Sequence, residues 1–199
     1  MSVNQFGNSG QPGPPRTATP HAGVNADQFG NDPIYRRFME RQLADGLALA
    51  RESDLLRLRI PPTAPPNFVA EYRCKGLVRG DDGQIKEADR FEVGIWFPPD
   101  YLRRAEPFNM LRLFTPGVWH PNISQELPLI CIGRLTPGTP LVDILYQIYD
   151  ILTYQKYNPR EDDSLNKIAC AWARQNQHRF PIDRRPLKRR SLNLEVRPA

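Results

Sequence analysis

Long apolar runs are missing from this chain of 199 residues. No stretch of eighteen apolar residues occurs, so no membrane-spanning helix is expected. The first residues lack a basic start and an apolar core, so no secretory signal is expected either. Cysteine is scarce. Cys74, Cys131 and Cys170 are odd in number and widely spaced. That pattern argues against a disulfide framework and against a zinc knuckle, and no metal site is expected. It suits a cytoplasmic protein with one working thiol. Charge of one sign is not dominant, at a net +5. Much of that excess lies at the chain end, so nucleic-acid binding is not expected.

Apolar residues make up 40% of the chain, enough for one core. Three parts follow from composition. Residues 1–31 are rich in Gly, Pro, Asn, Gln and Ser, with few charges and no helical period, and read as a disordered tail. Residues 32–180 read as one folded domain. Residues 181–199 read as a basic tail, because Arg184-Arg185-Pro186-Leu187-Lys188-Arg189-Arg190 crowds like charges.

Within the domain, Asp32-Pro33 has the cap-then-proline order of a helix start. Ile34, Phe38, Leu43, Leu47 and Ala50 recur at helical spacing, with Leu55 further on, and Pro61, Pro62, Pro65 and Pro66 end the helical region. Phe68 to Val78 reads as a strand, followed by a turn at Gly80-Asp81-Asp82-Gly83. Phe91, Val93, Ile95 and Phe97 alternate with Glu92, Gly94 and Trp96 as a second strand. A third runs near Phe108 to Phe114. Thr139-Pro140 opens a second helix, with Leu141, Ile144, Leu145, Ile148, Ile151 and Leu152 as its stripe. A third helix spans about Ser164 to Gln177, with Leu165, Ile168, Ala169 and Trp172 inward. Cys74 and Cys170 read as structural thiols. A helix, an antiparallel meander, then helices is an α+β order.

Chemistry concentrates between Val118 and Leu135. His120, Pro121 and Asn122 precede Cys131, which sits between Ile130 and Ile132. This spacing can bring Cys131 to the lip of a groove with the Asn122 amide facing it. An amide N–H near a reacting sulfur can hold the oxyanion formed when a thioester is attacked.

This segment resembles the active-site segment of ubiquitin-conjugating enzymes. Four further stretches carry the likeness in order. Phe97-Pro98-Pro99-Asp100-Tyr101 resembles the family's F-P-x-x-Y, and Thr139-Pro140-Leu141 falls where the family reads W-S-P. Asn158-Pro159 and Asp162-Asp163-Ser164-Leu165 fall where it reads P-N-P-x-D-P-L. The resemblance covers roughly Pro33 to Phe180. It implies the family's α+β fold, with an N-terminal helix, a meander, an active-site loop and C-terminal helices.

The resemblance also implies a transferase. Cys131 would receive the C-terminal carboxyl of ubiquitin or a ubiquitin-like protein from an activating enzyme, as a thioester. A target lysine would then attack to give an isopeptide bond. Asn122 would hold the oxyanion or organise the loop that does. Asp163 matches the acid that orients the lysine, and it is also placed to cap the third helix. His120 and Pro121 would shape the loop. Arg36, Arg37 and Arg41 resemble the helix surface that docks the activating enzyme, although a solvated face explains them equally. No cofactor is required, because the activating enzyme consumes the ATP. A ligase is a further partner the family admits.

Departures from the pattern matter. The tryptophan after the cysteine is absent, Gly133 replaces an acid, and two additional residues separate Asn158-Pro159 from Asp163. Several extra residues lie between Tyr101 and His120. Arg103 falls near a phenylalanine that contacts RING-type ligases. These changes bear on ligase choice more than on thioester chemistry. They suggest a divergent member, such as a bacterial one encoded beside its own modifier, activating enzyme and protease, sometimes in antiphage defence. Two other readings stand beside this one. A silent variant would bind the modifier as an adapter, although such variants usually lack the cysteine. A cysteine hydrolase would pair Cys131 with His120, but the proline-constrained loop and the lack of an orienting partner argue against it.

Overall fold

A computed structural model describes residues 32–189. The expected tail of residues 1–31 and the end of the basic segment, 190–199, lie outside the described residues.

Helix α1 spans Pro33–Arg51. The Asp32 carboxylate accepts the backbone N–H groups of Ile34 at 2.8 Å and Tyr35 at 3.3 Å, satisfying donors that the helix start leaves unpaired. The expected stripe forms the flank of the inward face, with Phe38, Leu43 and Ala50 packed against the core, while the centre of that face lies about one residue away. Tyr35, Met39, Gln42, Gly46 and Leu49 are buried, while Ile34 is 71% exposed. The reason is polar and steric. The Tyr35 hydroxyl donates to the Phe97 carbonyl, and Gln42 Oε1 accepts the Leu141 N–H at 2.7 Å. At Gly46 a Cβ would meet Leu58 and Leu141 side chains at 2.8 Å, so only glycine allows this approach.

The helix stops at Arg51, and the next apolar residues form strand β1 (Leu56–Arg59) instead of more helix. Ser53 Oγ accepts the N–H groups of Leu55 and Leu56 and turns the chain out of the helix. Strand β2 is Phe68–Tyr72. The expected strand to Val78 breaks at residues 73–75, where the Asp183 carboxylate accepts the Lys75 N–H at 3.1 Å. Strands β3 (Gly76–Arg79) and β4 (Ile85–Ala88) form a separate hairpin. Strand β5 is Phe91–Ile95. The expected third strand is half helix: α2 takes Pro107–Met110 and β6 only Leu111–Leu113.

The main sheet is antiparallel, in the order β1-β2-β5-β6. Its inner residues, Phe68, Ala70, Tyr72, Phe91, Val93 and Ile95, join one core with Ile144, Leu145, Ile148, Ile151 and Leu152 of helix α3 (Leu141–Leu152). The Tyr72 hydroxyl ties sheet to helix by donating to the Leu145 carbonyl at 3.0 Å. Pro140 precedes α3 as its cap position without a side-chain bond, so Thr139 is not the cap. Gln42 serves that end of the helix from outside.

Helix α4 spans Lys167–Gln175, shorter than expected, and Asn166 caps it by accepting the Ala169 N–H at 2.9 Å. Its buried strip is Ala169, Cys170 and Ala173, and Ile168 is 69% exposed, contrary to its expected inward place. Ala169 and Ala173 join Leu77, Trp119 and Tyr154 in a second, smaller cluster. Beyond α4 the chain stays on the domain. Asp183 and Leu187 are buried, and the Arg189 side chain donates to the Arg51 and Glu52 carbonyls at the end of α1. Among the described residues no helix is long and apolar enough to cross a membrane.

Candidate active site

A β-bridge between Ile123 and Ile130 closes the loop that carries the thiol. The Cys131 N–H donates to the Asn122 carbonyl at 2.8 Å, next to that bridge. Ile130 and Ile132 point into the core, so the residue between them points outward. Cys131 is half-buried, whereas Cys74 and Cys170 are fully buried. Burial pushes the Cys74 thiol up to about 12, with the Asp183 charge acting the same way. Cys74 is therefore inert as a nucleophile.

The Asn122 side chain spans two loops. Its Nδ2 donates to the Cys131 carbonyl at 3.0 Å, and its Oδ1 accepts the Asn158 N–H at 2.9 Å. An amide has two N–H groups, and this pairing uses one of them. The Asn122 backbone N–H donates to His120 Nδ1 at 3.0 Å. Since Nδ1 accepts, the ring proton sits on Nε2. That nitrogen is buried without a hydrogen bond of ordinary geometry, with the Lys156 backbone bearing on it. Burial lowers the His120 pKa to about 3, so the ring is neutral at physiological pH and has no path to act as a base. Its face meets the edge of Tyr154, 4.5 Å between centroids. The Pro121 carbonyl accepts the Asn166 N–H at 3.0 Å and so joins the loop to the start of α4.

The chain leaving α3 runs along the same loop and bonds to it on both sides of Cys131 in sequence, at Asn122 and Ile132. Tyr154 adopts a left-handed φ of 56° and turns this chain back, its hydroxyl donating to the Trp119 carbonyl. Lys156 then donates from Nζ to the Ile132 carbonyl at 3.3 Å. Asn158 Nδ2 donates to Asp163 Oδ2 at 3.2 Å and to the Asp163 carbonyl at 3.3 Å. Asp163 is exposed and does not cap α4, which Asn166 does.

Cys131, Asn122, His120, Pro121 and Asp163 thus belong to one hydrogen-bonded constellation. The arginines lie elsewhere, on α1, whose neighbours are β1 and α3. Arg37 and Arg41 are exposed, Arg36 is half-buried, and Arg41 pairs with Asp45 at 3.5 Å. Two participants escaped the sequence reading as site residues. Asn158 stood inside a quoted motif, but its bridging role had no sequence signal of its own. Lys156 had no signal at all. Among the described residues no group of three or more side chains is placed to hold a metal ion.

No protein-family model matches the chain. It is 30% identical over 118 residues to the probable ubiquitin-conjugating enzyme E2 31 of Arabidopsis thaliana, spanning 57% of this chain and 70% of that protein. The chain belongs to the ubiquitin-conjugating enzyme family. A second family member, ubiquitin conjugating enzyme E2 B of Dictyostelium discoideum, is 30% identical over 112 residues, 51% of this chain and 70% of that one. Among solved structures, a candidate ubiquitin conjugating enzyme from Plasmodium yoelii superposes with a TM-score of 0.50 at 20% identity. The match covers 76% of this chain and 89% of that one, and shows a shared fold. Membership of the family supports a conjugating role.

Proposed function

We propose that this chain carries ubiquitin or a ubiquitin-like protein as a thioester on Cys131 and transfers it to a lysine amine of a target. The observation that supports this most is the Asn122 amide. It holds the Cys131 carbonyl with one N–H and is itself held by Asn158, and this pairing leaves its second N–H for the acyl oxygen. A fixed donor of this kind stabilises a tetrahedral oxyanion without reorganising during attack. Asp163, exposed and steadied by Asn158, orients the incoming lysine and favours loss of its proton. His120 and Pro121 set the loop. Arg36, Arg37 and Arg41 form the docking face for an activating enzyme, with residues 32–180 as the catalytic domain and the flanking segments as attachments. The protein acts in the cytoplasm, and its departures at Gly133 and after Cys131 suit a bacterial member serving its own modifier.

The test is a non-reducing gel after incubation with ATP, the cognate activating enzyme and the modifier. A band heavier by one modifier is expected, sensitive to thiol reductant. Cys131→Ser converts it to a reductant-resistant band. Binding of the modifier without any such band would leave an adapter and refute the transfer.

A further inference from the structure

We propose that Lys156 is a cationic residue of the transfer step, whose ammonium stabilises negative charge developing on the acyl oxygen and leaving sulfur at Cys131. This rests on the thioester reading above. Lys156 Nζ is held by the carbonyl of Ile132, the residue after the thiol. Gly133, next in line, has a left-handed φ of +96°. A Cβ there would find Lys156 Nζ at 3.8 Å and no other atom within 4 Å. A side chain at residue 133 would point at the ammonium, and glycine leaves that approach open two residues after the thiol.

The ammonium is also not neutralised by a contact ion pair. Among the described residues no carboxylate forms an ion pair with Lys156. Asp150, whose carboxyl is raised by its partial burial, acts on it only at longer range. The position is fixed from below, because the Lys156 N–H donates to the Asp150 carbonyl at 3.0 Å after the Tyr154 turn.

The step balances without a co-reactant. The acceptor amine's lone pair forms the C–N bond while the carbonyl π pair moves to oxygen. Collapse restores C=O, breaks C–S and releases Cys131 as thiolate, and the amine's proton passes to Asp163 or water. Both transient charges are negative, and a nearby ammonium lowers the energy of each.

The experiment compares Lys156→Met, which keeps the stem, with Lys156→Arg, which keeps the charge. Each is loaded with modifier, the activating enzyme is stopped, and discharge is followed onto free lysine and onto hydroxylamine. Lys156→Met should discharge about tenfold more slowly to both nucleophiles, and Lys156→Arg within about twofold of wild type. Wild-type rates for Lys156→Met would overturn the proposal. So would an equal loss in Lys156→Arg, which would mean a packing role, or a loss seen with lysine alone, which would mean an effect on acceptor approach. Modifier found joined to Lys156 itself would make it an acceptor and also overturn the proposal. Alkylation of Cys131 by iodoacetamide in unloaded protein, read by peptide mass spectrometry, needs no conjugation. Lys156→Met should slow it severalfold. If wild type forms no thioester the transfer reading fails, and an unchanged alkylation rate then refutes the Lys156 charge effect separately.

Discussion

The two walls beside Cys131 are built on opposite terms. One wall, His120 to Asn122, is buried, neutral and hydrogen-bonded at nearly every polar atom. The other, Lys156 to Asp163, is charged and largely exposed. Asn158 is the joint between them, since its backbone meets Asn122 and its side chain meets Asp163. Burial gives position, because a buried group has no water to exchange with. Exposure gives reactivity toward a partner that arrives from solution. The difference teaches that orientation and charge have been assigned to separate stretches of chain.

The largest effect should come from acid acting on the buried wall. His120 has an ordinary pKa of 6.5 and a folded value near 3. Between these values the unfolded chain binds a proton that the folded chain refuses. Stability therefore rises with pH in that window and is lost as pH falls, by about 1.4 kcal/mol per unit and roughly 3–5 kcal/mol in all. Asp183, held down to about 2 by Arg185, adds to the loss only below about pH 4. Denaturant titrations at pH 7, 5.5 and 4.5 check the slope, and His120→Gln should flatten it.

Next in size is Asn122→Ala. It strips partners from the Cys131 carbonyl and the Asn158 N–H together, at a cost of about 1–3 kcal/mol in stability. Discharge of the loaded thioester to lysine should fall about a hundredfold. Single-turnover gels measure this, and a rate near wild type would mean that the buried wall serves folding alone.

The exposed wall should answer more selectively. Asp163→Asn should slow discharge to lysine about tenfold while leaving the thioester to form normally. Hydroxylamine, already neutral, should discharge at close to the wild-type rate. Equal losses for both nucleophiles would erase the contrast between the walls. The smallest effect is expected from α1. Arg37→Ala with Arg41→Ala should slow loading about threefold by weakening electrostatic encounter, with discharge of preloaded enzyme unchanged. Stopped-flow loading at two salt concentrations checks it.

Much of the architecture was legible because apolar period is a strong signal. The α+β order and the α3 stripe follow from it, and the Asp32 cap follows from the aspartate-proline pair. The inward face of α1 was legible in part, since Phe38, Leu43 and Ala50 pack against the core, but its centre was missed because two of its buried positions, Gln42 and Gly46, are not apolar. One is buried for a hydrogen bond to Leu141 and the other for lack of a side chain. Strand β1 was hidden by its nearness to the helix, with only Leu56 and Leu58 alternating against arginines. In the site, Asn122 and Cys131 are brought together by the bridge one residue inside them, Ile123 to Ile130, and the polar-then-apolar spacing carries a signal of that loop. Lys156 carries none. Its place depends on the left-handed Tyr154, a residue type that gives no hint of such a turn. The basic segment hid Asp183 and Leu187, because charge runs usually mean solvent.

The attachment of Arg189 to the end of α1 has a consequence in time. The Arg189 guanidinium reaches back across 137 positions to the Glu52 carbonyl. At roughly 5–20 residues per second on a ribosome, α1 waits about 7–27 s for that partner to be made. Leu141, which completes Gln42, comes 99 positions later in the chain than its acceptor. The first helix therefore has only its early partner β1 beside it until the later ones are synthesised, and contacts this distant in sequence are slow to form. Until they form, the newborn chain has a helix whose inner face is only partly covered, which is the species a chaperone would meet.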